Sequence, residues 1–580
     1  PIWNQPFAVV YGCHSYAHWF GQLGDGRAVI LGDIVVPVQS GSSTGSGSGG
    51  DTGSGSDGGN ERAMRYEIQL KGSGRTPFSR WGDGRAVLRS CIREFLASES
   101  MHYLGVPTTR ALCVATTGQG IRRNWYKAHT SSTSDTSIDD AAEISRTIMS
   151  NRFPPERPVV EPGAVMTRVA PVSFVRVGQL ELFAKRNDFE SCKSLADYVM
   201  DTEYADECTT NTTTNPSITV NGSHPHAHTH ALLVPEAEKY VQLFECIVRR
   251  CAFLVAQWMR VGYVQGNMNS DNLLIGGRTI DYGPFGFMEV YDPAYQPFTS
   301  DGDGHFSYIQ QPKAMHVNMS VLGMDTFAFL VMNVLDRTEF EKESGSDTDA
   351  DVDADSGDQL KRTKQYYSDR IKEVSGGVYL DAFNAHYGDV KMNKLGVLHR
   401  QMDSTVYTQL YQDLLGLMQL SQCDFTMMFR CLSRVARLLG EECLVDGQPQ
   451  NDNSPDMPLL SVSVGPQVEL AAIQQCLGWI RESMLDPTAL EGDGDGEGGQ
   501  LVEQWTEWLT AYSRVIALDN YSVYTNTDAH DCDSDELQLQ LLVDRECMQD
   551  GANPRYGGPG LRGDVCAGRA GEVESRAGQQ

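Results

Sequence analysis

The sequence predicts an α+β protein with two lobes, a β-rich first lobe and a mainly helical second lobe. Short alternating or β-branched runs separated by glycine turns make up most of the chain before about residue 190. Longer stretches with apolar residues at helical spacing follow, beginning with residues 235–260. Hydrophobic residues occupy 40% of the 580 positions, which is enough for the core of a two-lobed protein.

Low-complexity segments interrupt both lobes. Residues 39–60 consist almost wholly of Gly, Ser, Thr and Asp, which favours a flexible insert. The predicted organisation is a first lobe at 1–190 with this insert, a second lobe at 191–547 with inserts at 209–230, 343–358 and 491–500, and a disordered tail at 548–580. These segments shorten the part of the chain that can contribute to a core.

The net charge of −29 is only partly due to the acidic inserts. The rest of the chain is still acidic, which argues against nucleic acid as a partner, because that binding needs a clustered basic surface. We expect no membrane span, since no run of about 18 apolar residues occurs. The 14 cysteines lack a Cys-x-x-Cys pair, which favours buried thiols in a reducing compartment.

A glycine-rich turn precedes the first long β-like run. Residues 22–27 read Gln-Leu-Gly-Asp-Gly-Arg, and apolar residues 28–31 follow. Glycines beside an arginine let the backbone approach a phosphate closely. An ordinary hairpin turn fits the same residues, and residues 22–27 alone favour that interpretation.

Residues 66–71 alternate strictly between apolar and polar side chains, which predicts a half-buried strand with Lys71 at its polar end. The stretch from Asp83 to about Leu104 predicts a helix. Its apolar positions are Leu88, Cys91, Ile92, Phe95, Leu96 and Tyr103. Glu94 falls at the edge of that face, where it can pair with Lys71 and orient it towards ATP phosphates. A surface lysine and a solvated glutamate are the commoner outcome for either residue alone.

Two arginines lie on further β-like runs. Arg168 belongs to residues 163–170, and Arg176 belongs to residues 173–178. The rigid donor fork of arginine suits phosphate recognition. Surface arginines on strands fit the same pattern, and sequence spacing does not decide between the two.

The second lobe begins with the strongest helical pattern of the chain, at residues 235–260. Residues 314–338 and 402–440 also predict helices. Alternating histidines from His224 to His230 could bind a metal, but their low-complexity setting favours an insert.

Residues 262–287 contain the clearest candidate site. An apolar run at 273–275, a Gly-Gly turn and a second β-like run predict a hairpin. Its two ends carry Asn272 and Asp281, which would therefore meet. An amide oxygen and a carboxylate that converge on one point suit Mg²⁺.

The same residue types hold Mg²⁺ in protein kinases, where the ligands are a catalytic-loop Asn and the Asp of Asp-Phe-Gly. The corresponding tripeptide here is Asp281-Tyr282-Gly283. The catalytic base of a kinase precedes the metal-binding Asn by about five positions. Asn267 occupies that place and cannot accept a proton, which disfavours ordinary phosphoryl transfer.

Taken together, several motifs resemble the SelO (YdiU) family, pseudokinases that act as protein adenylyltransferases. The matching segments are residues 22–27, 70–77, 83–89, 92–94, 107–112, 269–272 and 279–287. The resemblance implies a protein-kinase-like fold that binds ATP in reverse, so that AMP passes to Ser, Thr or Tyr hydroxyls of proteins. It also implies Mg²⁺, with Mn²⁺ as an alternative.

The resemblance assigns a role to individual residues. It implies that the nucleotide is surrounded by Gly24, Gly26, Arg27, Lys71, Asp83, Gly84, Arg168, Arg176 and Asp281. Glu94 would pair with Lys71, Asn272 and Asp281 would hold the metal, and Asp271 would accept the proton. The chain departs from the family in having Gln265 where most members have His. Its two arginines are also eight positions apart, one more than usual.

Three functions remain open from the sequence: an AMP-transferring enzyme, which we favour, an atypical kinase that transfers the γ-phosphate, and a non-catalytic ATP-binding scaffold. A scaffold would be expected to lose metal or lysine positions, and none is missing. Eukaryotic relatives favour a mitochondrial location. The protein substrates and the oligomeric state are not predicted.

Overall fold

The structure is a computed structural model that describes residues 2–37, 63–125, 157–209, 234–344, 354–397, 404–445, 470–490 and 497–525. The predicted insert at 39–60, the alternating histidines and the predicted tail lie outside these ranges. The chain divides into two compact units. The first comprises Pro1–Met288 with Asp292–Val390, and the second comprises Glu289–Tyr291 with Lys391–Gln580.

The first unit begins with β-structure. Its strands are β1 (Ile2–Phe7), β2 (Val10–Ser15), β3 (His18–Gly24), β4 (Ala28–Pro37), β5 (Ala63–Lys71), β6 (Ala86–Val87), β7 (Arg110–Trp125), β8 (Arg157–Pro171), β9 (Tyr263–Val264) and β10 (Gly286–Phe287). In the described part of the chain, β1, β4, β5, β8 and β6 form an antiparallel sheet in that order, and β7 also pairs with β8. The β2–β3 hairpin stands apart from this sheet.

Helices dominate the rest of the chain, so the α+β class is confirmed. They are α1 (Leu88–Tyr103), α2 (Val177–Lys185), α3 (Phe189–Glu203), α4 (Ala205–Thr209), α5 (Pro235–Arg260), α6 (Gln311–Val321), α7 (Ala328–Ser344), α8 (Ala354–Glu373), α9 (Tyr379–Leu395), α10 (Ser404–Leu420), α11 (Phe425–Val445), α12 (Leu470–Arg481) and α13 (Glu497–Thr525). The predicted helix at 235–260 is confirmed as α5. The helices predicted at 314–338 and 402–440 are confirmed as α6 with α7 and as α10 with α11.

The edges of two predicted inserts differ from the structure. Residues 354–358 open α8, and residues 497–500 open α13. Acidic and glycine-rich composition therefore extends into the first turn of a helix at both places.

One continuous helical stretch, Tyr308–Glu339, has the length and apolar composition of a membrane-spanning helix. Half of its most apolar window is buried inside the protein. Core helices have the same length and composition, so this stretch is weak evidence for a membrane span.

Strand β5 lies between β4 and β8 and carries its polar side chains inward. Its register places Gln69 opposite Arg168 and Lys71 opposite Met166. Both Gln69 and Lys71 are buried, and so is Ile68 on the other face. The prediction of a half-buried strand was therefore wrong at this end, because the face with alternating polar residues is covered as well.

Helix α1 begins later than predicted, at Leu88, because Ala86 and Val87 pair with β8. The predicted apolar face is confirmed only in part, since Cys91 is buried and Leu88 and Phe95 pack against the core, but the other predicted positions are exposed. The buried side chains of α1 are Cys91, Glu94, Ala97, Ser98 and Met101. Ile92, Leu96 and Tyr103 are 45, 60 and 82% exposed. The helix packs against β7 and β8, and Glu94 lies within that buried face rather than at its edge.

The β-like run predicted at residues 173–178 was wrong. Strand β8 ends at Pro171, and α2 begins at Val177 with Arg176 as its N-cap residue. The side chain of Gln179 accepts a hydrogen bond from the Arg176 backbone N–H at 2.8 Å, which supports the first turn of the helix.

The second unit is helical in its described part. Two buried tryptophans of α13 anchor it to α10 and to the residue that follows α10. Trp505 Nε1 donates to Ser421 Oγ at 2.8 Å, and Trp508 Nε1 donates to the Leu410 carbonyl at 3.0 Å. These bonds satisfy the indole N–H groups where they are removed from water.

Candidate active site

A cavity of about 780 Å³ lies within the first unit. Its volume suits a nucleotide-sized ligand. Eleven of the twelve site residues predicted from the sequence line it: Gly24, Gly26, Arg27, Lys71, Asp83, Gly84, Arg168, Arg176, Asp271, Asn272 and Asp281. The twelfth, Glu94, is bonded to Lys71.

Two glycines of the cavity wall sit where a side chain would not fit. A Cβ atom at Gly24 would overlap the ring of Phe78. Gly84 has a φ of +69°, and a Cβ there would overlap the Gly74 carbonyl. The loop at residues 24–27 is therefore more than an ordinary hairpin turn, since its backbone packs closely against the following loop.

Lys71 reaches the cavity from the end of β5. Its Nζ lies 2.7 Å from Glu94 Oε2 on α1 and 3.3 Å from Asp281 Oδ1. The Lys71 and Glu94 side chains are only 7 and 8% exposed. Burial strengthens their attraction and makes the loss of either partner costly, so this pair fixes the lysine in place.

Asp281 is held as an ionised carboxylate. Burial by itself would raise its pKa, but the cations around it, led by Lys71 and Arg168, outweigh burial and lower the pKa to about 2. Gln265 Nε2 donates to the Asp281 backbone carbonyl at 2.8 Å. The glutamine that replaces the family's usual histidine thus supports the segment that carries this carboxylate.

Arg93 fixes the residues that follow Asp281. Its guanidinium donates to the carbonyls of Gly283 and Phe285, both at 2.6 Å, and lies 3.8 Å from the centre of the Phe285 ring. Helix α1 therefore supplies both Glu94 and the anchor of this loop. The sequence motif contained Arg93, but nothing in its spacing indicated this contact.

The predicted hairpin at residues 262–287 is a tight turn closed by one antiparallel bridge between Leu273 and Thr279. Asn272 ends a short 3₁₀ helix before that turn. Its Nδ2 lies 3.4 Å from the Asn267 carbonyl, so its amide oxygen is the atom left for a cation. Together with the ionised Asp281, it is a donor set that fits Mg²⁺. Among the described residues, no group of three His, Cys, Asp or Glu side chains could hold a metal by itself.

Asp271 differs from Asp281 in its surroundings. Burial raises the pKa of Asp271, while the Cys13 thiol and Arg176 partly oppose that rise. In the part of the chain that the structure describes, its Oδ1 atom is buried without a hydrogen-bond partner. A buried carboxylate oxygen with nothing bonded to it is free to accept a proton from a group that enters the cavity.

Backbone bonds around Arg176 place its side chain in the cavity. Residues 175–177 bond to the segment Leu273–Ile275, with Val177 N donating to the Leu273 carbonyl at 2.9 Å. The guanidinium donates to the Asp271 carbonyl at 2.6 Å and to Asp25 Oδ1 at 2.8 Å. Sequence analysis missed Asp25, although it lies between the two predicted glycines.

Asp83 lies at the exposed mouth of the cavity. Its carboxylate accepts hydrogen bonds from Arg123 at 2.8 and 3.2 Å and from the Arg85 backbone N–H at 3.0 Å. The contact with Arg123 is the main cause of its lowered pKa. Asp83 therefore orders the loop that leads into Gly84.

The cavity is positively charged in an acidic protein. Seven cationic side chains line it among the described residues: Arg27, Lys71, Arg80, Arg85, Arg123, Arg168 and Arg176. Four carboxylates face them: Asp25, Asp83, Asp271 and Asp281. The excess of three positive charges suits a polyanionic ligand such as a nucleoside triphosphate.

Comparison with known proteins identifies the family of the chain. The family model described as Protein adenylyltransferase SelO matches residues 45–134 and 150–539. The chain belongs to the SelO family. Curated relatives carry the name Protein nucleotidyltransferase YdiU. The relative from Methylobacillus flagellatus is 32% identical over 433 residues, and that from Rhodopirellula baltica is 33% identical over 547 residues.

The two alignments cover different shares of the proteins. The first covers 74% of this chain and 61% of the relative, and the second covers 93% and 78%. A relative from Nitrosospira multiformis is 33% identical over 458 residues, which are 78% of this chain and 60% of that protein. This SelO-family chain thus spans about three fifths of the length of two of these relatives.

Proposed function

We propose that this protein is an adenylyltransferase that moves AMP from ATP to Ser, Thr or Tyr hydroxyls of proteins and releases pyrophosphate. The observation that carries the proposal is a cavity with excess positive charge that is lined by an ionised Asp281, by Asn272 and by Asp271, one oxygen of which has no hydrogen-bond partner among the described residues. The names of the family and of the curated relatives support it. We further propose that the first unit has a protein-kinase-like arrangement, based on the Lys71–Glu94 pair and the Asp281 loop.

ATP in the reversed orientation accounts for the positions of the charges. The buried Lys71, Arg168 and Arg176 would bind the β- and γ-phosphates. The α-phosphate would then lie near Asn272 and Asp281. Pyrophosphate is the leaving group in this arrangement, and fixed cations stabilise the negative charge that develops on it.

Asp271 would act as the proton acceptor. An acceptor hydroxyl would attack the α-phosphorus, the bond to the bridging oxygen would break, and the hydroxyl proton would pass to Asp271 Oδ1. The raised pKa of Asp271 suits proton acceptance near neutral pH better than the low pKa of Asp281 does. Arg176 would hold the backbone of this residue through its carbonyl.

Asn272 and Asp281 would hold Mg²⁺, or Mn²⁺, which would supply positive charge at the phosphates when bound. The donor set supports this assignment.

Radiolabelled ATP tests the proposal. Purified protein is incubated with ATP labelled at either the α- or the γ-phosphate, alone and with a mixture of protein substrates. We expect label only from the α-position and a mass gain that matches AMP. Label from the γ-position would instead establish a kinase, and binding of ATP without incorporation of either label would establish a scaffold. Asp271→Asn serves as the variant that should bind ATP but transfer nothing.

A further inference from the structure

Gln69 is a fully buried amide that connects two parts of the cavity wall. Its Oε1 accepts hydrogen bonds from Nε of Arg168, at 3.1 Å, and from Nη2 of the same arginine. Its Nε2 donates to Asp25 Oδ2 at 3.3 Å. The amide orientation is fixed by these partners, because a flipped amide would place N–H groups against the guanidinium and oxygen against the carboxylate.

The two buried arginines of the cavity are held in different ways. Arg176 bonds to a carboxylate, that of Asp25, at 2.8 Å. Among the described residues, Arg168 donates its hydrogen bonds to neutral groups, namely the Gln69 amide and, at 3.4 Å, the Ile280 carbonyl. Burial and the nearby Arg176 lower the pKa of Arg168, whereas nearby carboxylates oppose this effect, and an arginine remains charged in a protein.

A neutral partner has a specific consequence for ligand binding. A carboxylate in contact with Arg168 would compensate its charge before ATP arrived, and phosphates would have to compete with that carboxylate. An amide orients the same guanidinium through the same oxygen position without adding a negative charge. Lys71 lies two residues after Gln69 on the same strand. Strand β5 therefore contributes to the cavity wall both a group that positions an arginine and a cation.

We propose that Gln69 is a positioning residue that orients Arg168 towards the phosphates of the nucleotide without placing a carboxylate in direct contact with it. This inference rests on the proposed function, since it concerns how the same cavity selects a polyphosphate. It predicts that the neutral charge of the side chain at position 69 matters more for the affinity of a polyphosphate than the hydrogen bonds of that side chain do. A purely structural role predicts instead that all ligands of the cavity, adenosine included, lose affinity to the same extent.

Two substitutions separate these roles. Gln69→Glu retains a partner for Arg168 but places a carboxylate against its charge and loses the donor to Asp25, whereas Gln69→Met adds no charge but loses all of these hydrogen bonds. Calorimetry with ATP, inorganic triphosphate and adenosine measures the effect. For Gln69→Glu we expect ATP and triphosphate to bind about 10- to 100-fold more weakly, the range set by losing one hydrogen-bonded charge, with adenosine nearly unchanged. Gln69→Met should lose less affinity for triphosphate than Gln69→Glu.

The matched control is Gln257→Glu. Gln257 Oε1 also accepts from an arginine, Arg260 Nε at 2.6 Å, but Gln257 does not line the cavity. This variant makes the same chemical change at a distant site and should bind ATP like the wild type. Melting temperatures of the three variants show whether each is folded.

Several results would overturn the inference. These are unchanged ATP affinity in Gln69→Glu, weaker triphosphate binding in Gln69→Met than in Gln69→Glu, or equal losses for adenosine and ATP. If Gln69→Glu does not fold, Gln69→Met still tests the inference. Without the hydrogen bonds that orient Arg168, ATP should bind more weakly, whereas the affinity for adenosine should be nearly unchanged. Wild-type protein that binds no ATP would refute the proposed function itself, and the inference with it.

Discussion

Replacing Glu94 with glutamine should reduce both the stability and the activity of the protein, because it removes one charge from a buried ion pair. Lys71 Nζ and Glu94 Oε2 are 2.7 Å apart, and both side chains are more than nine-tenths buried. Removing one member of such a pair typically costs about 3–5 kcal/mol, since the other charge is left buried. Here Lys71 retains Asp281 at 3.3 Å, so the loss should lie near the lower limit.

We expect the free energy of unfolding to fall by about 3 kcal/mol, and kcat/KM for AMP transfer to fall as well, because Lys71 is then less firmly held. Lys71→Met should cause a loss of at least that size, because it leaves Glu94 without its lysine. The double variant should be little worse than the poorer single variant. The resulting coupling energy would be about 2 kcal/mol, within the range for residues in direct contact.

The assay is a double-mutant cycle that measures kcat/KM and, in urea, the free energy of unfolding. Lys185 and Asp325 provide a matched control, with the same 2.7 Å separation but side chains that are 39 and 41% exposed. Asp325→Asn should cost at most about 1 kcal/mol, because exposed pairs are weakened by solvent. Additive losses from Lys71→Met and Glu94→Gln, within about 0.5 kcal/mol, would refute the view that these residues act as a pair.

Two further predictions concern the carboxylates. Asp281→Ala should abolish transfer and most Mg²⁺-dependent ATP binding, because it removes the carboxylate proposed to hold the cation; calorimetry showing wild-type affinity with Mg²⁺ would contradict this. Asp271→Asn should abolish transfer yet stabilise the fold near pH 7. The pKa of Asp271 is raised in the folded state, so its ionisation costs stability above the unfolded pKa of about 3.9, and the amide avoids that cost. Urea denaturation should show this gain near pH 7 and little gain near pH 3, and a loss of stability near pH 7 would disprove the assignment of an unfavourably buried charge.

Local sequence was sufficient for much of the site. The alternation before Lys71, the Gly-Gly turn between Asn272 and Asp281, and the helix at 235–260 each depend on residues near one another in the chain. A tight turn brings its own ends together whatever surrounds it. For this reason the convergence of Asn272 and Asp281 could be predicted from the sequence, and both line the same cavity.

Helix faces were less predictable. Apolar residues occupy two adjacent stripes along α1, and the helical spacing of these residues in the sequence does not show which stripe packs against the sheet. The structure buries the stripe with small residues and Glu94 and exposes Ile92, Leu96 and Tyr103. Packing against β7 and β8 decides this, because whichever stripe faces the strands is removed from water.

The sequence by itself determined the α+β class, the family motifs and the residue types of the site, since these follow from local pattern and composition. Only the tertiary structure decided which groups hold the two buried arginines. Gln69 lies 99 positions from Arg168, and Asp25 lies 151 positions from Arg176. Their meeting depends on the register of β5 with β8 and on the bonds of residues 175–177 to Leu273–Ile275. A buried amide or carboxylate takes its partner from whatever donor the packed chain places within reach, and no periodicity along the sequence records that choice.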